Sequence, residues 1–243
     1  MSRTKERYSV GYANKAYKIF KEKEVLFRMP LKVGNFYIIR FDGKGMTKGF
    51  KIKHKAINEL FFNTMKLAFI NFAKKYPKII FAYSFSDEIS LLFKVKKNDS
   101  EEFLRGEKLL SLMSGQLTLE FLKATQATGL DCMGKDWLFD ARLIELEKNE
   151  VIDYFKSRQA YAIDKYLSQC KGEYALDYRL VTSSEIIDAL KEKDIEYDKM
   201  PQEYKYGLMY GKNSILDSFE IFGDEEKLQE LCFGKISETN KAA

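Results

Sequence analysis

The hydrophobic residues of this chain change their spacing in a regular order. From Asn35 to Phe41 the run is aromatic and β-branched, which predicts a strand. From Ala56 to Tyr76 the spacing becomes helical. Ile57, Leu60, Phe61, Met65, Ala68, Phe69 and Phe72 recur three and four residues apart, and Pro77 stops the pattern. Two more strand-like runs follow, Ile79 to Phe85 and Ile89 to Lys94, separated only by Ser86-Asp87-Glu88. A second helix is expected from Glu101 to about Ala127, with Ser100 as its N-cap and acidic residues in its first turn. Trp137 to Leu146 reads as a fourth strand.

That order, β-α-β-β-α-β, predicts an α+β fold of the ferredoxin-like kind. A right-handed crossover makes the first two strands parallel, with the third between them. The remainder reads as mostly helical: Glu150 to Cys170, Ser183 to Lys193 and a last helix from Asp224, with β-like stretches at Tyr204 to Tyr210 and Ser214 to Phe222. The expected division is therefore a sheet-bearing catalytic unit over residues 1–147, with an N-terminal amphipathic helix near Val10 to Val25. A mostly helical lobe, residues 148–243, packs on it.

This topology brings Arg40-Phe41-Asp42-Gly43-Lys44-Gly45 beside Ser86-Asp87-Glu88 at one edge of the sheet. Either turn alone fits plain structure, since Asp-Gly ends strands and hairpin tips are often solvated. Together they make Asp42 and Asp87 neighbours, and like charges that close repel unless a cation lies between them. Two Mg²⁺ ions holding a nucleoside triphosphate fit that need, bridged by the two carboxylates and joined by the Gly43 carbonyl. The amides of Gly43, Lys44, Gly45, Met46 and Thr47 suit close approach to a triphosphate, and Lys48 adds charge nearby. On the second helix Arg105 and Lys108 share a face, with the small residues Ser111, Ser114 and Gly115 further along. Two cations at a helix start suit phosphates, although they suit a solvated turn as well.

Composition narrows the classes. With 45% hydrophobic residues in 243, a large core needs no disulfides. Cys132, Cys170 and Cys232 match no zinc pattern and no secreted framework, so a reducing cytoplasm is expected. The single histidine, His54, makes triads and histidine-based zinc sites improbable. No apolar run approaches membrane-spanning length and no signal-peptide core is seen, so no membrane partner is expected. Net charge +5 permits a polyanionic partner without requiring one.

Taken in order, Arg40-Phe41-Asp42-Gly43-Lys44, Ala82 through Ser86-Asp87-Glu88-Ile89-Ser90-Leu91-Leu92, Phe139-Asp140-Ala141-Arg142 and Arg158-Gln159 resemble the tRNA-His guanylyltransferase family, most closely its bacterial Thg1-like branch. The resemblance runs from about residue 10 to about residue 165. It implies a polymerase-type palm that adds nucleotides to the 5′ end of tRNA in the 3′-to-5′ direction, after ATP or GTP activates that end. It further implies two Mg²⁺ ions at Asp42, the Gly43 carbonyl and Asp87, phosphate contacts by Arg105 and Lys108, and a homo-tetramer. By the same carry-over Ser86 and Glu88 border the site. The candidate catalytic residues are thus Asp42, Asp87 and Glu88, and the nucleotide-binding set adds Arg40. Two other palm readings stay open: a nucleotide cyclase or signalling-nucleotide synthase acting on free triphosphates, and a non-catalytic RNA-binding protein. After Gln159 the chain departs from the family pattern, with Tyr161 where an Asp is usual and Lys171 to Val181 replacing a serine-histidine-lysine segment.

Overall fold

Tyr37, Ile39 and Phe41 alternate with Phe36, Ile38 and Arg40, so a strand through them offers apolar surface to both sides. In the computed structural model that strand is β1 (Phe36–Lys44). The structure describes residues 30–46, 57–100, 103–131 and 137–234; the expected helix near Val10 to Val25, together with Thr47, Lys48, His54 and Cys132, lies outside them. After β1 come α1 (Glu59–Ala73), β2 (Phe81–Phe85), β3 (Glu88–Lys94), α2 (Gly106–Thr128) and β4 (Leu138–Leu146). The second half supplies α3 (Glu150–Glu173), α4 (Ser183–Lys191), α5 (Gln202–Tyr206), β5 (Leu208–Gly211), β6 (Ser214–Leu216) and α6 (Glu225–Phe233). The sheet order is β4-β1-β3-β2-β5-β6, and each neighbouring pair is antiparallel. As the sequence predicts, β3 separates β1 from β2, and the class is α+β.

Three boundaries differ from expectation, each because a distant segment intervenes. β1 runs past Phe41 because β4 pairs with it as far as Lys44 opposite Leu138. Asp42 and Gly43 are therefore strand residues and not part of a terminating turn. α2 starts at Gly106, not Glu101. Ser100 closes a separate turn, its Oγ accepting from the Phe103 N–H at 3.3 Å, while Arg105 stays extended to pair with Pro30. Finally, the stretch expected to be extended from Tyr204 begins as α5 and turns at Gly207 into β5. A Cβ on Gly207 would stand 2.6 Å from Tyr83 Oη and 2.8 Å from the Ser84 carbonyl, so only glycine lets β5 lie against β2. Through β5 and β6 the second half joins the sheet of the first.

Helices cover both faces. On one, Phe61, Met65, Phe69 and Phe72 of α1 and Leu117 and Phe121 of α2 meet Tyr37, Ile39, Phe41, Ile89 and Leu91. On the other, Val151, Phe155, Ala162 and Leu167 of α3, with Ile186 and Leu190 of α4 and Leu228 of α6, meet Phe36, Ile38, Phe81, Leu92 and Met209. Burying one such side chain is worth about 1.5–3 kcal/mol. Side-chain caps sharpen the helix starts. Asn58 Oδ1 accepts from the Phe61 N–H at 2.9 Å, and Thr182 and Glu185 form a reciprocal capping box on α4.

Gln159 of α3 is fully buried and fastens the last third of the chain. Its Nε2 donates to the carbonyls of Tyr206 (3.1 Å) and Phe219 (2.9 Å), and its Oε1 accepts from the Ile221 N–H (2.6 Å). Leucine there would leave three backbone groups without these bonds, each costing about 1–3 kcal/mol when buried. Gln159→Leu should therefore lower unfolding free energy by at least about 3 kcal/mol in urea titration. A loss under about 0.5 kcal/mol would show that the clamp is not needed.

Candidate active site

The register of β1 decides what shares its end. Asp42 stands opposite Glu88 on β3 and opposite Asp140 on β4. One pair back, Arg40 stands opposite Ser90 and opposite Arg142. Side chains two apart along a strand share a face, so an acidic row, Asp140-Asp42-Glu88, borders a row with two arginines on the side that α3 covers. Asp140 and Arg142 also approach each other at 3.7 Å, both half-exposed.

Asp87 reaches the same end from the hairpin. Phe85 pairs with Glu88, leaving Ser86 and Asp87 as a two-residue loop. Such a loop needs a positive φ, and Ser86 supplies it at +54°. Its hydroxyl donates to Asp87 Oδ1 at 3.1 Å, holding the carboxylate it precedes. The Gly43 N–H donates to the Asp87 carbonyl at 3.1 Å. A Cβ on Gly43 would lie 2.9 Å from Asp87 Cβ and 2.5 Å from Met46 Sδ. Glycine at this position is what lets the hairpin close onto β1.

Glu88 is held from above. Arg158 of α3 forms an ion pair with its Oε2, the two side chains being 18% and 20% exposed. Burial pushes the Glu88 carboxyl above the usual carboxylate range; Arg158 and Arg40 oppose that shift, while Asp42 and Asp87 add to it. The three acids thus act on one another. Tyr154, one turn before Arg158, shares a hydrogen bond with Ser90 at 2.9 Å. Arg40 Nε and Tyr83 Oη, also beneath α3, are buried without a hydrogen-bond partner among the described residues. Arg158 enters the sequence reading only within the Arg158-Gln159 match, with no role at the site, and Tyr154 is not singled out there. The available cue was an arginine beside the buried stripe of Phe155, Gln159 and Ala162 on α3.

The remaining candidates divide. Lys44 ends β1 and is exposed, and Gly45 follows it with φ +69°. The Met46 side chain is fully buried in the core under the turn, which leaves only its backbone for a ligand. Arg105 and Lys108 are not brought to the acidic end. Arg105 pairs with Pro30 near the start of β1, where Phe36 faces Lys94 at the end of β3. Asp42 lies about 20 Å away along β1 at ~3.4 Å per residue. The reason is topological: α2 leaves the far end of β3 and runs back toward the acidic end. Arg105 itself donates to Glu107 at 2.8 Å.

Residues 17–147 match the tRNAHis guanylyltransferase family, Thg1. The chain belongs to this family. It is a nucleotidyltransferase, and the family's action is on tRNA. No curated protein matches the sequence. Among solved structures, a bacterial Thg1-like protein in complex with ATP is similar over 93% of this chain and 100% of its own, with 21% identity and a TM-score of 0.74. A bacterial Thg1-like protein in complex with GTP gives 21% identity and 0.73 over 90% of this chain and 99% of its own. The tRNA(His) guanylyltransferase of Saccharomyces cerevisiae gives 18% and 0.71 over 85% and 98%. These likenesses show the palm-type fold. No described helix is long and apolar enough to cross a membrane.

The donor set of this family member suits a divalent ion that arrives with a triphosphate. Among the described residues, no group of three or more His, Cys, Asp or Glu is placed as a metal cage. Mg²⁺ does not need one, being held by one or two carboxylates plus phosphate oxygens and water. The close approach of Asp87 to Gly43, where a Cβ would not fit, sets where the Asp87 carboxylate stands. Gly43→Ala should therefore displace Asp87. Overpacking of this kind costs about 1–3 kcal/mol, and nucleotide addition should fall at least tenfold, beyond what the stability loss explains. Unfolding curves and turnover measured on the same preparation check this. Wild-type turnover would show that the approach is not required.

Proposed function

We propose that this chain extends the 5′ end of tRNA in the 3′-to-5′ direction, as 5′-end repair or tRNA-His guanylylation. ATP or GTP first activates the 5′-phosphate, releasing pyrophosphate. The 3′-hydroxyl of an incoming nucleotide then attacks that phosphate and expels the activating nucleoside monophosphate. The observation that carries the reading is the placement of Asp42 between Glu88 and Asp140, with Asp87 closing onto Gly43 beside it.

Asp42, Asp87 and the Gly43 carbonyl would hold two Mg²⁺ ions, which supply charge stabilisation to the transferring phosphoryl group. The chain's own residues do the rest. Arg158 neutralises Glu88, so the third carboxylate neither competes for the ions nor repels the incoming phosphates. Ser86 donates to one Asp87 oxygen and so helps to orient the carboxylate. Arg40, behind Asp42 and with Nε unsatisfied, adds positive potential at the same end. Arg105 and Lys108 start α2 toward the opposite end of β1, where Arg105 pairs with Pro30.

The test pairs substrates and variants. Protein with Mg²⁺ and labelled GTP is incubated with 5′-truncated tRNA, and separately with GTP alone. Label should enter the tRNA. A product formed from GTP alone would favour cyclase or signalling-nucleotide chemistry instead. Asp42→Asn and Asp87→Asn should each lose at least about a hundredfold in addition, as expected for removing a metal ligand. In Mg²⁺-free buffer their melting temperatures should equal or exceed wild type, because each removes a repulsive charge. Retained turnover in either variant would exclude the two-ion assignment.

A further inference from the structure

Helix α3 climbs the sheet row by row. Phe155 meets Phe81 edge-on, with ring centroids 4.8 Å apart. Tyr154 reaches Ser90, opposite Arg40, and Arg158 reaches Glu88, opposite Asp42. Asp42 and Glu88 form the last pair of β1 with β3, yet α3 continues to Glu173. Tyr161 lies three residues beyond Arg158, about 4.5 Å further along at ~1.5 Å per residue. It therefore overhangs the acidic end. Its neighbours Gln159 and Ala162 are fully buried, whereas Tyr161 is 43% exposed.

The ring has a fixed backing. The Arg158 guanidinium lies over it, 4.9 Å from the centroid, and the same guanidinium is fastened to Glu88. One aromatic surface, held by an immobilised cation, thus sits one helical turn from an edge suited to metal-bound phosphate. Those two features match the two halves of a nucleotide. We propose that Tyr161 is a stacking surface for a nucleobase whose phosphate lies at the acidic end. Stacking of this kind tolerates any base, since each has a π-face, and an arginine behind the ring adds a cation–π contribution. The proposal rests on the reading that the acidic end takes nucleotides. The base can belong to a free triphosphate or to the RNA end, and the shared chemistry is a flat heteroaromatic face.

The test measures equilibrium binding with Mg²⁺ of GTP, of inorganic tripolyphosphate and of a 5′-monophosphorylated tRNA, to wild type and to Tyr161→Phe, Tyr161→Leu and Tyr161→Ala. The alanine and leucine variants should weaken binding of GTP or of tRNA by about fivefold to a hundredfold, and the phenylalanine variant by no more than about twofold. Tripolyphosphate should bind all four proteins alike. Loss confined to tRNA assigns the base to the RNA; loss of GTP assigns it to the free nucleotide. Unchanged GTP and tRNA affinity in Tyr161→Ala overturns the proposal, as does a loss for tripolyphosphate equal to that for GTP. Wild type that binds neither GTP nor tripolyphosphate overturns the nucleotide reading itself, and this proposal with it.

Discussion

β1 is hydrogen-bonded along both of its edges, and its register against β3 and β4 determines where every acid stands. Side chains alternate between faces along a strand, so a slip by one residue would carry Asp42 to the face of α1 and α2 and bring Phe41 under α3. Apolar packing prevents that slip. Tyr37, Ile39 and Phe41 are committed to one core, and Phe36 and Ile38 to the other. The electrostatic cost of three neighbouring carboxylates is thus borne by hydrophobic burial on both faces of the same strand. Arg158 and Arg40 reduce that cost at Glu88 from one side of the sheet.

The order of elements was legible because local spacing and burial agree through residue 146: helical periods for α1 and α2, β-rich runs for β1 to β4. What was not legible depends on distant pairing. Asp-Gly-Lys-Gly has the composition of a turn, but β3 pairs with Asp42, and β4, nearly a hundred residues later, carries the strand on through Gly43 and Lys44. Ser100 followed by two glutamates has the composition of a helix start, but Arg105 is diverted to pair with Pro30. The same topology explains Arg105 and Lys108: their spacing on a helix was visible, while the end of the sheet from which that helix departs was not. Asp42, Asp87 and Glu88 were legible as a group, since the hairpin and crossover rules bring their segments together. Arg158 was visible within the Arg158-Gln159 match, but its pairing with Glu88, on a strand far earlier in the chain, was not.

The second half is held to the first as much by polar side chains as by apolar ones. Gln159 binds three backbone groups between residues 206 and 221. Lys205, 3% exposed, donates to the carbonyls of Tyr197 and Asp198 and lies over the rings of Tyr197 and Tyr206. Burial lowers its pKa, and Asp198 and Glu220 oppose that shift. Segments without long secondary structure carry backbone groups that no ladder satisfies, and buried amides and amines are the groups able to answer them. The helix that carries Arg158 and Tyr161 is the one anchored this way, so the cover over the acidic end is as firm as the joint between the halves.

β5 is the partner of β2 although about 120 residues separate them, and this sets the order in which the chain becomes safe on the ribosome. Synthesis proceeds from the N-terminus, and residues 36–146 contain everything needed to close β4-β1-β3-β2 into a sheet. Until residues 208–211 emerge, one side of Phe81-Ala82-Tyr83-Ser84-Phe85 has no strand beside it. That segment has no charge, no proline and three aromatic rings, the composition that recruits other chains at an open edge. A nascent or cleaved chain lacking β5 therefore carries the four-stranded sheet and a self-association surface at once, and the β5–β6 hairpin removes it.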